Sequence, residues 1–368
     1  FVFGDQWQTS SNGATITTYG AEKVTWEIGK KYNVGFDLGL FNKLSLNVDF
    51  FREDRKDIFL RRNTIPAESG ITGDLRPYGN LGKVRNQGVD MSLDYNHAVR
   101  KDFMISAKGT FTYAKNQYME IDEPDYEYAY MSQVGRPLNQ YKGYIALGLF
   151  KDQEEIDNSP KQILTGVVQP GDIKYKDVNG DGVINDGDKV AIGATTKPNL
   201  IYGFGISAQW KGFDFNVHFQ GAGKSSFFIN GSTVFAFKDS QWGNVLGNLV
   251  ANRWVDADTA AKLGIPANED PNASYPRLSY GGNDNNQQKS TFWLKNGSYL
   301  RLKTLEVGYT LPKSIVNKIK FNNIRVFFIG TNLLTFAKFK EWDPELGSST
   351  GAEYPLSRVM TLGLTVNI

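Results

Sequence analysis

The sequence has no cysteine and only two histidines in 368 residues. A chain this long without cysteine builds no disulfide framework and does no thiol chemistry. His97 and His218 lie far apart in the chain, and both read as strand-face residues rather than metal ligands. Long apolar runs are also missing. No stretch approaches the length and hydrophobicity of a membrane-crossing helix, and mean hydropathy is −0.40. An excess of one charge is missing too. Lys and Arg total 41 against 39 for Asp and Glu, a formal net charge of +2, so no nucleic-acid partner is implied. There is no Gly-rich phosphate loop after a strand, no Ser/His/Asp order and no glycosidase-like carboxylate pair, which argues against an enzyme.

What is abundant is glycine, at 38, with 18 tyrosines and 24 phenylalanines, a composition of strands and turns. Asn199–Gln220 shows the pattern most clearly. Tyr202, Phe204, Ile206, Ala208 and Trp210 alternate with Gly203, Gly205, Ser207 and Gln209. Beyond a short turn at Lys211-Gly212, Phe213, Phe215, Val217 and Phe219 alternate with Asp214, Asn216, His218 and Gln220. Successive strand side chains face opposite ways, so each arm has one apolar and one polar face. The same alternation predicts strands over Val24–Leu40, Leu44–Phe59, Val84–Ala98, Phe103–Lys115, Ser298–Leu311, Asn323–Phe336 and the terminal stretch through Ile368. Near Lys303 the apolar parity switches, which predicts a bulge.

The count is about nine antiparallel strands whose connections alternate between short and long. The long ones fall at about 60–83, 116–198, 223–297 and 335–354, after an irregular opening over 1–22. A soluble sandwich has no reason to sort its loops by length between its two ends. A transmembrane barrel does, with apolar side chains toward lipid and polar ones toward a wet lumen. The fold class expected is therefore all-β, part of a large antiparallel transmembrane β-barrel, with residues 1–368 as one barrel segment. An odd strand count leaves the two ends of the segment on opposite sides of the membrane. The expectation is that further strands complete the barrel and that this chain lacks them.

Five blocks in order carry a resemblance: 80–96 (NLGKVRNQGVDMSLDYN), 171–193 (GDIKYKDVNGDGVINDGDKVAIG), 198–224 (PNLIYGFGISAQWKGFDFNVHFQGAGK), 298–314 (SYLRLKTLEVGYTLPKS) and 324–345 (IRVFFIGTNLLTFAKFKEWDPE). Together they resemble the C-terminal half of the SusC/RagA-like TonB-dependent outer-membrane transporters of Bacteroidetes. That resemblance implies a plugged barrel of about 22 strands, a SusD-like surface lipoprotein as partner, and coupling to the TonB complex through an N-terminal part without counterpart here. It implies import of an oligosaccharide or oligopeptide, and it transfers no substrate-contact residue. The competing reading is a secreted all-β carbohydrate-binding or scaffold protein with a dockerin-like calcium loop.

One loop carries a metal pattern. Asp177, Asn179 and Asp181 stand at positions 1, 3 and 5, Gly182 at 6, the Val183 carbonyl at 7 and Asp188 at 12. This is the spacing of an oxygen-ligand calcium loop, with Asp where Glu is usual at 12. A bound calcium would be a structural staple rather than a catalytic ion. The plainer reading is an Asx/Gly turn in an acidic loop. Trp242, Trp254, Trp293 and Trp342, with Tyr126, Tyr128 and Tyr130, lie in the long connections. They could hold sugar rings, but for any single one packing or an interfacial aromatic girdle is the reading preferred.

Overall fold

The computed structural model describes residues 2–3, 9–10, 16–21, 23–164, 166–231, 234–237 and 245–368. Nine long strands form one antiparallel sheet: β1 (Ile28–Leu40), β2 (Leu44–Arg61), β3 (Tyr78–Arg100), β4 (Phe103–Glu120), β5 (Leu200–Trp210), β6 (Phe213–Gly223), β7 (Tyr299–Thr310), β8 (Asn323–Ala337) and β9 (Val359–Asn367). Their order in the sheet follows the chain, and the sheet does not close on itself.

The register decides which side is which. One row across the sheet reads Leu38, Leu46, Leu93, Gly109, Phe204, Phe219, Leu302 and Leu334. The adjacent row, pointing the other way, reads Asp37, Asn47, Ser92, Thr110, Gly203, Gln220, Arg301 and Thr335. A slip of one residue in any strand would exchange the two faces, so the unbroken rows show that pattern and pairing agree. The apolar face is open: Val34 is 72 % exposed, Ile206 51 % and Leu362 80 %. Among the described residues no protein layer covers it.

Three connections are tight. Phe41 and Asn42 (φ 56° and 51°) close β1–β2, and Lys211 and Gly212 (φ 46° and 88°) close β5–β6, both with the paired positive φ that matches strand twist. Lys101-Asp102 closes β3–β4. The predicted bulge is present, since Thr304 pairs with His218 and Leu302 with Phe219, leaving Lys303 unmatched.

Several limits differ from the sequence reading. β1 begins at Ile28 rather than Val24, β3 at Tyr78 rather than Val84, and β4 runs on to Glu120. The cause in β2–β3 is visible. Asp57 takes φ 60°, the register shifts around Ile58, and pairing resumes from Phe59 with Asn80 through Arg61 with Tyr78. A bulge breaks the alternation from which the strand was read. Within 1–22, read as a loop, Val2–Phe3 and Thr9–Ser10 pair as a short ladder. Residues 1, 4–8, 11–15 and 22 lie outside the described residues.

The main hydrophobic core is not in the sheet. It lies in the long connections 121–199, 224–298 and 338–358, which pack together at the end of the sheet opposite the tight turns. Tyr144, Ile173, Tyr175, Phe227, Trp293 and Phe339 are all buried in it. Short paired segments frame it: Ala146–Leu149 with Ile173–Tyr175, Lys161–Gln162 with Val183–Ile184, and Ser226–Phe228 with Leu294–Asn296. Helices α1 (Gln153–Asp157), α2 (Gly247–Asn252) and α3 (Ala257–Leu263) complete it. Burying each large apolar side chain contributes roughly 1.5–3 kcal/mol, so this cap is a folded body and not a set of independent loops.

Candidate functional site: the polar wall and its cap

The polar face of the sheet is kept low by its smallest residues. A Cβ at Gly203 would stand 3.3 Å from His218 Nε2, and one at Gly205 only 3.2 Å from His218 Cδ2. The imidazole therefore lies flat across β5 instead of projecting. His97, on the opposite face, sits beside Tyr95 with ring centres 6.2 Å apart. The two histidines are not brought together, as the sequence reading expected. Near the tight-turn end, Arg325 of β8 donates from Nε to Asp214 Oδ1 (3.0 Å) and from Nη2 to Glu306 Oε1 (2.6 Å). Gly308 leaves room for that guanidinium, since a Cβ there would stand 2.6 Å from Arg325 Nη2. These polar side chains border a recess of about 900 Å³.

The cap is bolted by an amide and carboxylate network. Buried Asp172 meets Arg277 Nε at 2.7 Å and accepts from Asn283 Nδ2 and Asn286 Nδ2, each at 2.9 Å. Gln162 Nε2 donates to Asn285 Oδ1 at 2.7 Å, and the Tyr175 hydroxyl to the Asn285 carbonyl at 2.6 Å. Burial pushes the Tyr175 hydroxyl far up, so it remains a donor. These contacts join two connections more than a hundred residues apart. Sequence reasoning missed them. The amide-rich run Asn283–Asn286 signalled polarity but not its partners.

The acidic loop is folded by its own side chains. Asp177 accepts the backbone N–H of Gly180 (2.7 Å) and Gly182 (2.9 Å), both glycines with positive φ, 78° and 81°. Asp181 accepts from Val183 N at 2.8 Å and from Asn179 Nδ2 at 2.9 Å. Asp188 is buried and accepts from Val178 N (2.7 Å) and Asn185 N (2.9 Å). Glycine at the sixth position thus makes the turn that a calcium loop needs. The carboxylates, however, face backbone donors, and among the described residues no three acidic or histidine side chains gather at one point. Lys189 beside Asp186 holds that carboxyl below the usual range.

The aromatic residues divide. Trp254 and Trp293 are 4 % and 2 % exposed, within the cap core. Trp342 packs edge-on against Phe339 and donates to the Ser348 carbonyl at 3.2 Å. They are packing residues. Trp242 lies outside the described residues. Tyr128 and Tyr130 stack with centres 5.4 Å apart, and the Tyr130 hydroxyl donates to the Gly187 carbonyl at 2.6 Å, pinning the acidic loop. Tyr126 faces the Lys142 ammonium at 5.5 Å.

A model described as TonB dependent receptor-like, beta-barrel, matches residues 2–182. The TonB-dependent receptor P3 of Formosa agariphila is 26 % identical over 99 % of this chain and 36 % of its own length. The TonB-dependent receptor SusC of Bacteroides thetaiotaomicron is 22 % identical over 100 % of this chain and 34 % of its own. Over nearly its whole length the chain is similar to TonB-dependent receptors of the outer membrane. Among solved structures, the RagAB peptide transporter superposes with a TM-score of 0.66 at 25 % identity, covering 93 % of this chain and 36 % of that one. The family's proteins are transporters of the outer membrane rather than enzymes. That location puts the open apolar face of β1–β9 against lipid and the polar face toward the lumen. This chain spans about a third of the length of the relatives it matches, 36 % and 34 % for the two receptors. The competing reading as a secreted all-β protein is set aside, because an uncovered apolar sheet face has no place in water.

Proposed function

We propose that this chain forms lumen wall and extracellular cap of an importer that takes up an oligosaccharide or oligopeptide with a SusD-like surface lipoprotein. TonB would act through a part of the transporter that precedes this segment. The observation that carries the reading is the pair of register rows, one apolar and open to lipid, one polar and lining a lumen, under a pre-folded cap at the long-loop end. A folded cap offers a partner a fixed surface, so docking need not order several loops at once. These 368 residues carry no cysteine, so once any cysteine elsewhere in the transporter is replaced the wall can be tested directly. Single cysteines at Ser207 and Ile206 in the whole transporter, treated with a water-soluble maleimide on cells, should label at 207 and resist at 206. Competition of uptake by oligosaccharide or oligopeptide mixtures then assigns the nutrient. Labelling at 206 alone would reverse the wall and sink the proposal.

The loop Asp177–Asp188 is proposed to take calcium through Asp177, Asn179, Asp181, the Val183 carbonyl and Asp188. The residue pattern and the two left-handed glycines support this, and the present N–H partners of the carboxylates stand against it. Binding would draw those carboxylates toward one point. Limited proteolysis of the whole transporter around 170–190, with calcium or with a chelator, should show protection by calcium. Identical cleavage leaves an acidic turn.

A further inference from the structure

Four charged side chains are almost wholly buried among the described residues: Asp172, Asp188, Arg253 and Arg301. Three of them are answered. Asp172 faces Arg277, Asp188 accepts two backbone N–H groups, and Arg301 reaches Asp343 at 2.6 Å and Glu345 at 3.2 Å. Arg253 is not. It is 6 % exposed, its Nη1 donates to the Val250 carbonyl, and it forms no ion pair with any described residue. A guanidinium taken out of water without a counter-charge is costly to hold, and folded proteins pair such groups.

The next residue in the chain also carries an unanswered donor. The indole N–H of Trp254 is buried and has no hydrogen-bond partner. Both residues line one cleft of about 390 Å³ at the foot of α3, within the size range of small-ligand sites. Leu263, Leu278 and Pro170 supply apolar walls. The one carboxylate in the cleft, Asp256, is spent elsewhere, accepting the Thr259 N–H at 2.8 Å to start α3. A planar guanidinium selects an anion with two acceptor oxygens, and carboxylate fits that fork. The apolar walls select a carboxylate carried on a skeleton with an apolar face.

We propose that the cleft between Arg253–Asp256 and Leu278 of the cap is a binding site for a small organic carboxylate, with Arg253 supplying the counter-charge. The carboxylate has two natural sources, the C-terminus of a short peptide and the uronic acid of a glycan. The inference does not rest on the import reading, because it concerns binding alone.

The test is calorimetric titration of the whole detergent-solubilised transporter with four probes. These are N-acetyl-leucine and its neutral amide, and glucuronate and neutral glucose. At least one carboxylate should bind saturably and at least tenfold tighter than its neutral counterpart. Binding of N-acetyl-leucine alone assigns a peptide terminus; binding of glucuronate alone assigns an acidic sugar. Arg253→Gln should weaken the carboxylate at least tenfold, and Arg253→Lys should restore part of the loss. Should Arg253→Gln fail to fold, the contrast between charged and neutral probes on the unaltered protein still decides. Equal binding of charged and neutral probes, no saturable binding of either carboxylate, or unchanged binding by folded Arg253→Gln would each overturn the site. The last two results would be expected if the charge is answered by an acidic side chain of a partner protein.

Discussion

Val217→Arg is the sharpest single perturbation of the wall. Val217 lies on the apolar face of β6, paired with Ile206 on one side and Leu305 on the other. It stands four residues in from Phe213, the first residue after the turn, or about 13 Å along the strand. With the usual barrel tilt that is about 10 Å of depth, close to the middle of an apolar band about 25 Å tall. Arginine at the midplane of a lipid-facing position costs about 2–4 kcal/mol, which divides the folded-to-unfolded ratio by about thirty to a thousand at 1.36 kcal/mol per tenfold. The matched control is Asn216→Arg. Asn216 faces the lumen between Ser207 and Glu306, where a cation meets water and a carboxylate. Reversible denaturant unfolding of the whole transporter in bilayers, followed by heat-modifiable gel mobility, reads both. Val217→Arg should lower the midpoint clearly and Asn216→Arg should leave it within error. Equal losses, or a larger loss at Asn216, would refute the assignment of the two faces.

Three further outcomes are expected. Asp172→Ala strands Arg277 and two asparagine amides in the cap and should cost about 3–5 kcal/mol there, seen as faster proteolysis within 160–175 and 277–286 while barrel mobility is unchanged. Asp122 accepts from the Thr64 hydroxyl at 2.8 Å and from the Thr64 N–H at 3.0 Å. Burial pushes its carboxyl up, but these bonds outweigh it and hold it below its ordinary value of 3.8. Its contribution is therefore complete above that value and lost as pH falls through the depressed one, so proteolysis within 62–77 should rise only at strongly acidic pH, and Asp122→Asn should abolish that rise. The nine strands alone carry two unpaired edges, β1 and β9, which hydrocarbon does not tolerate; residues 1–368 expressed by themselves should aggregate, and a monomeric heat-modifiable species would contradict this.

The sheet was legible because lipid on one side and water on the other enforce a period of two along every strand. Reading failed where that constraint lapsed. Around Asp57 a bulge resets the parity, and beyond it Tyr78–Lys83 pairs without a lipid-facing pattern to mark it. The bulge at Lys303 was legible for the same reason, since the parity change is itself the signal. The calcium pattern predicted a turn with glycine at its sixth position, and Gly182 makes it. Spacing along the chain could not reveal that Asp177 and Asp188 face backbone N–H groups.

The cap was not legible because its core has no period. Asp172 and Asn286 meet across 114 residues, and nothing local in either segment names the other. Hydrophobicity alone does not separate the two regions either. Phe215, in β6, is 40 % exposed, and Phe227, twelve residues on, is 1 % exposed. The residue type is the same; the surrounding medium differs. Where lipid is the solvent, an outward phenylalanine needs no protein neighbour, and the strand is held by its hydrogen-bonded partners. Past the membrane the same side chain faces water and is driven inward, so the strand gives way to a segment that packs Phe227 against Phe339. The transition at Gly223 is thus a change of solvent read out by the chain. The same rule says where function is concentrated. The site proposed at Arg253 follows that rule: its guanidinium sits in the cap away from lipid, with one backbone carbonyl as hydrogen-bond partner and no carboxylate, and a bound anion would supply the missing charge.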